Sequence, residues 1–179
     1  MIETDRLILR EWRDADRAPF AAMNADAEVM RYFPATMNRA QSDALIDRER
    51  GRLAHRGIAL MAVETKAGGA FIGFVGLAPA DTGTAIDEYL EIGWRLKRDA
   101  WGHGYASEAA RAVLSWAWAH TDERRIVSFT SRINEPSWRV MRRIGMTERP
   151  DLAFDHPKVP DDSPLKPHVV YMIDRPEGT

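Results

Sequence analysis

Gly102 and Gly104 flank His103 at the head of an alanine-rich stretch that runs to about His120, directly after a strand-like segment, Tyr89 to Leu96. Glycines at the start of a helix leave the first backbone N–H groups uncovered. Those donors have no partner inside the helix, and the aligned peptide dipoles make that end electropositive. A phosphate or pyrophosphate is the natural occupant. The alternative is a plain strand-to-helix turn that needs positive φ. Arg98 at the mouth, and Ala106, Ala109 and Ala110 in the first turns, favour a ligand: the arginine adds positive charge and the alanines allow close approach. Glu108 suits the helix dipole with or without a ligand. No Lys-Ser/Thr pair follows the glycines, which argues against a nucleoside triphosphate loop. Ser107 stands where a dinucleotide fingerprint needs its third glycine.

The segment Trp101-Gly102-His103-Gly104-Tyr105-Ala106-Ser107-Glu108-Ala109 resembles the pyrophosphate loop and helix of the GNAT superfamily of acyl-CoA-dependent N-acetyltransferases. The similarity is greatest to the branch of ribosomal-protein N-terminal acetyltransferases and covers nearly the whole chain. Glu3-Thr4-Asp5-Arg6-Leu7-Ile8-Leu9-Arg10 resembles that branch's first strand, and Phe71-Ile72-Gly73-Phe74-Val75-Gly76-Leu77 its third. Tyr89-Leu90-Glu91-Ile92-Gly93-Trp94 resembles the strand beside the acyl chain. Asn134-Glu135-Pro136-Ser137, followed by Arg143-Ile144-Gly145-Met146, resembles the later cofactor-binding helix. The chain departs from the family at two places. Asp99 replaces a Gln or Arg before the first glycine, and Met141 replaces a tyrosine proposed to protonate the leaving thiolate.

The resemblance implies an α+β fold, a mixed and mostly antiparallel sheet flanked by helices, in one domain over residues 1–179. It implies acetyl-CoA as co-substrate, with Arg98, Trp101, Gly102, His103, Gly104, Tyr105 and Ala106 around the pyrophosphate. Backbone N–H groups near Ile92, Gly93 and Trp94 would polarise the acyl carbonyl, and Asn134 would hydrogen-bond the pantetheine arm. Ser137 matches the serine proposed to protonate or hydrogen-bond the thiolate; as a plain structural residue it would occupy a first helical turn. Glu91 is nominated as general base because it lies on the strand beside the acyl site. Alternation puts Tyr89, Glu91 and Gly93 on one face, with Leu90, Ile92, Trp94 and, by the same count, Glu88 on the other.

Periodicity supplies the elements that must position these groups. Leu7 and Leu9 mark a first strand, and Asp14 to Asn24 and Ala27 to Tyr32 suggest two short helices. Asn38 can cap a longer helix with Gln41 reaching back, and Gly57 can end it. Ile58 to Glu64 and Ala70 to Ala78 read as strands joined by a turn at Gly68-Gly69, with Ile86 to Leu96 as the third strand of that meander. Arg125 to Ser131 is another strand, and Pro136 opens a helix ending at Gly145. Thr147 to Phe154 and Val169 to Ile173 read as closing strands around a Pro- and Asp-rich loop, Asp155 to Pro167. Trp12, Trp116, Trp118 and Trp138 read as core or helix-packing residues. Tyr32 and Phe33 could border the acceptor, though burial is the simpler reading.

Hydrophobic residues make up 45% and charged residues 29%, ordinary for a globular protein. A net charge of −2 argues against general nucleic-acid binding. Arg139, Arg142 and Arg143 read as a solvated helix face. With no cysteine, disulfides, thiolate metal sites and an acyl-cysteine intermediate are excluded. His156 and His168 are separated by Pro-rich loop residues, with no third ligand at helical spacing, so no metal is expected. No apolar stretch approaches a membrane span and no leader is evident, so the cytoplasm is the default. Three functions stay open. The chain could acetylate a protein N-terminal amine or a small-molecule amine such as an antibiotic or metabolite, either as a monomer or as a homodimer. It could instead be a non-catalytic acyl-CoA-binding regulatory module.

Overall fold

A computed structural model describes residues 1–177. The sheet has nine strands: β1 (Ile2–Glu3), β2 (Leu7–Arg10), β3 (Leu60–Thr65), β4 (Phe71–Pro79), β5 (Leu90–Leu96), β6 (Arg125–Ser131), β7 (Thr147–Glu148), β8 (Phe154–Asp155) and β9 (Pro167–Asp174). Four α-helices accompany them: α1 (Arg17–Ala25), α2 (Arg39–Arg56), α3 (Tyr105–His120) and α4 (Glu135–Arg143). Spatial order is β1-β2-β3-β4-β5-β6-β9-β7, with β8 also on β9. Every pairing is antiparallel except β5 with β6. The expected α+β class and mixed sheet are thus found. Among the described residues no helix is long and apolar enough to cross a membrane.

The capping residues act as their types require. The Asn38 side chain accepts from Gln41 N–H at 2.9 Å while Gln41 returns to Asn38 N–H at 2.8 Å, closing both orphan donors. Gly57, at φ +67°, ends α2 in the left-handed conformation. The hairpin of β3 and β4 closes through Thr65 N–H to the Ala70 carbonyl at 3.0 Å.

Three expectations are corrected. Residues 27–32 form turns rather than a second helix; Asp26 Oδ1 accepts from Glu28 N–H at 2.8 Å, a local bond that competes with helix formation. The strand expected from Ile86 starts at Leu90. Asp87 accepts from Thr82 and Gly83 N–H at 2.8 and 2.7 Å and winds Ala85–Glu88 into a 3-10 turn, which leaves Glu88 exposed and off the strand. Thr147 to Phe154 is not one strand: Pro150 starts a 3-10 turn between β7 and β8.

The largest core cluster lies between the sheet and the α3–α4 face, with Leu9, Val75, Leu77, Ile92, Leu96, Val113 and Met141 buried in it. On the opposite face Trp12, Phe20, Phe74 and Ile46 form a second cluster under α1 and α2. Trp12 is buried as expected, its indole donating to the Leu60 carbonyl at 2.7 Å. A third, smaller cluster joins Ala80, Ile86 and Val170 with Tyr89, Phe129 and Phe154.

Candidate active site

The parallel pair β5–β6 is where the sheet comes apart. Its register holds only at Leu90–Ile126 and Glu91–Val127. On the other edge, Lys97 N–H donates to the Ile72 carbonyl at 2.9 Å and Ala80 N–H to the Tyr89 carbonyl at 3.2 Å. Odd-numbered residues of β5 therefore bond β4, and even-numbered residues direct their peptide groups toward β6. Past Glu91 the β6 ladder has ended, so the N–H and C=O of Trp94 face a gap between the two strands. The next such carbonyl, that of Leu96, accepts from the Trp101 indole at 2.8 Å, which seats the ring at the end of the gap.

The glycine loop forms that end. Arg98–Ala100 make a 3-10 turn, and Arg98 and Asp99 are both exposed. Gly102 and Gly104 take φ of +78° and +79°, a conformation that side chains with a Cβ adopt at a cost. Gly104 is the N-cap residue of α3 with no side-chain cap, so the first-turn N–H groups stay open beside His103, Tyr105 and Ala106. Glu108 acts as a staple to the first strand. Its carboxylate accepts from Thr4 Oγ1 at 2.6 Å, Arg6 N–H at 3.1 Å and Arg6 Nε at 2.7 Å. Burial alone would raise its pKa, but these bonds hold it below the ordinary carboxylate value. The same contact brings the Arg6 guanidinium 4.7 Å over the Tyr105 ring, next to the loop. A shallow groove of about 540 Å³ runs on from Gly104 past Ser107, Arg111 and Arg143.

The far bank is β6 and the start of α4, three residues apart. Asn134 turns the chain there. Its carbonyl accepts from Ser137 N–H at 3.1 Å, and its Nδ2 donates to Thr130 Oγ1 at 2.8 Å. Ser137 is half-buried. Met141 is buried in the α3–α4 core, with no proton to offer.

Side chains of Leu90, Ile92, Trp94 and Leu96 pack on the α3 face, whereas Glu91, Gly93 and Arg95 lie on the α1–α2 face. A Cβ placed on Gly93 would be 3.5 Å from Glu91 Oε1 and 3.8 Å from Leu60 Cδ2, so the carboxylate leans over the glycine. Burial pushes Glu91 up to about 8; Arg52 pulls it down and Glu49 adds to the rise. Glu49, fully buried, is itself engaged: it accepts from Arg52 at 2.8 Å, Arg48 at 3.1 Å and Leu60 N–H at 3.0 Å.

The ladder thus ends beside Ile92–Trp94. Trp101 and the glycine loop lie at the end of the gap, Asn134 and Ser137 lie on the segment that follows β6, and Glu91 is on the α1–α2 face. Arg98 and Asp99 stay at the rim, pointing to solvent. Arg139 and Arg142 pair with Glu135 at 2.6 Å and Glu148 at 3.0 Å, as a solvated helix face would. The rings of His156 and His168 lie 4.8 Å apart at a 55° tilt, with His168 stacked on Phe154 and Phe129 beside both, closing the Pro-rich loop; burial lowers both pKa values. Phe33 departs from the burial expected of it: it is 40% exposed, on a segment of turns, over the guanidinium of Arg95 at 4.2 Å. Arg95 and its partner Asn24 had no signal in the sequence beyond the strand alternation that puts Arg95 beside Glu91.

The family model for the acetyltransferase (GNAT) domain matches residues 6–147. The uncharacterised protein YkkB of Bacillus subtilis (strain 168) is 31% identical over 144 residues, 80% of this chain and 83% of that protein. Among solved structures, a GNAT-family acetyltransferase from Bacillus anthracis superposes with a TM-score of 0.79 at 24% identity, covering 97% of this chain and 98% of the other. RimL, a ribosomal-protein α-N-acetyltransferase solved with coenzyme A, superposes at 0.76 and 15% identity, over 96% and 95% of the two chains. With family model, relative and fold in agreement, the chain belongs to the GNAT family and is an N-acetyltransferase that takes its acetyl group from acetyl-CoA.

Proposed function

We propose that the protein transfers acetyl from acetyl-CoA to a primary amine by direct attack in the gap between β5 and β6. One observation carries the reading: the β5–β6 ladder ends at Glu91, so the Trp94 peptide N–H faces a gap that leads to the Trp101 ring and the uncapped N-terminus of α3, with Glu91, pushed up to about 8 by burial, at the last paired position. The pyrophosphate rests on the N–H groups of residues 102–106, where two positive-φ glycines keep side chains out of the way. The remaining nucleotide phosphate lies along the groove of Arg111 and Arg143, neither of which is paired with a carboxylate among the described residues. The pantetheine arm passes Asn134. The thioester oxygen accepts from the Trp94 N–H, where its growing negative charge is stabilised by a donor already in place.

The amine approaches from the α1–α2 face. It must be neutral to attack. Its nitrogen forms the bond to the acetyl carbon, the carbon–sulfur bond breaks, and the ammonium proton leaves to the ionised Glu91 directly or through water. Ser137, on the opposite bank, donates a hydrogen bond or relays a proton to the departing thiolate. No covalent enzyme intermediate is required, and no cysteine is available to form one.

The test is release of free CoA thiol from acetyl-CoA with a panel of peptides, polyamines, aminoglycosides and amino acids. Turnover with at least one primary amine is expected. CoA binding with no turnover across the panel would make the chain an acyl-CoA-binding regulatory module instead.

A further inference from the structure

Arg95 projects from β5 on the same face as Glu91 and Gly93, and it is unlike every other arginine near the site. Its Nη1 donates to Asn24 Oδ1 at 2.7 Å and lies 3.7 Å from Met37 Sδ. The rings of Phe33 and Phe74 lie 4.2 and 5.4 Å from the guanidinium carbon. Its Nε is buried and has no hydrogen-bond partner among the described residues. Among the described residues no carboxylate pairs with the charge, and burial alone pushes the group down to about 10. Asn24 is itself fully buried and fixed by Ser42 at 3.0 Å, so it holds one end of the fork in a set orientation.

Arg95 as a whole is half-buried, but its Nε edge is shut off from solvent, and a guanidinium facing an amide, a thioether and two rings there gains from an anion. Asn24 occupies one end of the guanidinium. The edge that carries Nε remains, and that edge matches the two oxygens of a carboxylate with two parallel donors. Phe33 covers the group from a segment of turns and is itself 40% exposed, so the covering lies at the surface. Arg95 stands two residues past Gly93, about 7 Å along the strand. An amine held over Gly93 would therefore place a carboxylate carried elsewhere on the same molecule within reach of Arg95.

We propose that Arg95, oriented by Asn24 and covered by Phe33, is an anion subsite on the acceptor side, and that the acceptor is an amine bearing a carboxylate. This rests on the function proposed above and narrows its substrate class. Free amino acids and peptides with an acidic residue near the N-terminus share that chemistry; polyamines lack it and would be repelled.

Matched probes separate these outcomes. Turnover is compared for lysine against 1,5-diaminopentane, methionine against methionine amide, and a tripeptide with Asp against Asn at its second position. Independently of turnover, equilibrium binding of N-acetylmethionine is compared with its uncharged methylamide on the CoA-loaded protein. The charged member of at least one pair should be favoured by roughly ten- to a hundred-fold, the scale of a hydrogen bond to a charged group. Which pair responds identifies the small molecule or the peptide as the source. In Arg95→Gln the preference should disappear through the acceptor KM, with the KM for acetyl-CoA unchanged. A merely structural arginine would instead weaken both members of each pair alike. The wild-type comparison stands even if the variant does not fold. Equal use and equal binding of charged and uncharged probes would overturn the subsite. Selective binding of N-acetylmethionine without turnover of any amine would uphold the subsite while overturning the catalytic reading.

Discussion

Glu91 sits where burial keeps its proton on until the pH approaches about 8. As a base it must be ionised, so kcat should rise with pH and level off above that value. Two acceptors of different basicity should share this limb if it belongs to the enzyme. Glu91→Gln should lower kcat by roughly a hundred- to ten-thousand-fold and remove the limb. Stability should move the other way. The folded pKa lies above the ordinary 4.5, so ionising the buried carboxyl costs nothing below pH 4.5 and progressively more as pH climbs to about 8. Thermal melts at pH 9 should therefore find Glu91→Gln more stable than the wild type, with little difference at pH 4. Ser137→Ala should reduce kcat by roughly ten- to a thousand-fold with little change in CoA affinity; unchanged turnover would hand the thiolate's proton to water. Alternation along the strand made Glu91 legible as a candidate. Its perturbed pKa was not legible, because that depends on Leu60, Glu49 and Arg52, which arrive from other elements. Arg95 was missed for the same reason: an arginine at a strand's end reads as solvated until Asn24, Phe33 and Phe74 close around it.

Among the elements, the glycine loop and α3 were readable because each signal is local. Gly102 and Gly104 announce positive φ, and the alanines announce a helix that can be approached closely. Gly104→Val puts a β-branched side chain at φ +79°, where its added Cβ would be 3.7 Å from an Arg6 nitrogen. The substitution should weaken CoA by well over tenfold while costing only about 1–2 kcal/mol of stability, the scale of a residue forced left-handed. Calorimetric titration of CoA beside a denaturant melt separates the two effects; equal CoA affinities in two folded proteins would remove the phosphates from this loop. Elements whose ends are set by side-chain bonds were read less well. Ile86 looks like a strand residue by hydropathy, yet Asp87 gathers Thr82 and Gly83 into a turn first. Likewise Asp26 turns the chain where residues 27–32 looked helical. In both places a short acidic side chain outcompeted the pattern.

Across the whole molecule, function follows from a sheet that is incomplete at one place. Two parallel residue pairs join β5 to β6, and beyond them the strands part while the core beneath stays packed. In the function proposed here the opening reaches from the α3 face, assigned to the phosphates, to the α1–α2 face, assigned to the amine. On that proposal both substrates meet in line and the acyl group passes from CoA to the amine without a stop on the enzyme. The order of strands and helices made this fold legible, since GNAT motifs occur along the chain in sequence. The splay itself was not, because it is set by how far two distant strands stay in register. The direct test is to mix the protein with radiolabelled acetyl-CoA, first alone and then with an accepted amine, and to follow the label through single turnover. Direct transfer predicts no stoichiometric label on the protein before the amine is added, label on the amine at the rate of CoA release, and initial rates that require both substrates together. A labelled side chain that forms and decays fast enough to lie on the path would contradict the account.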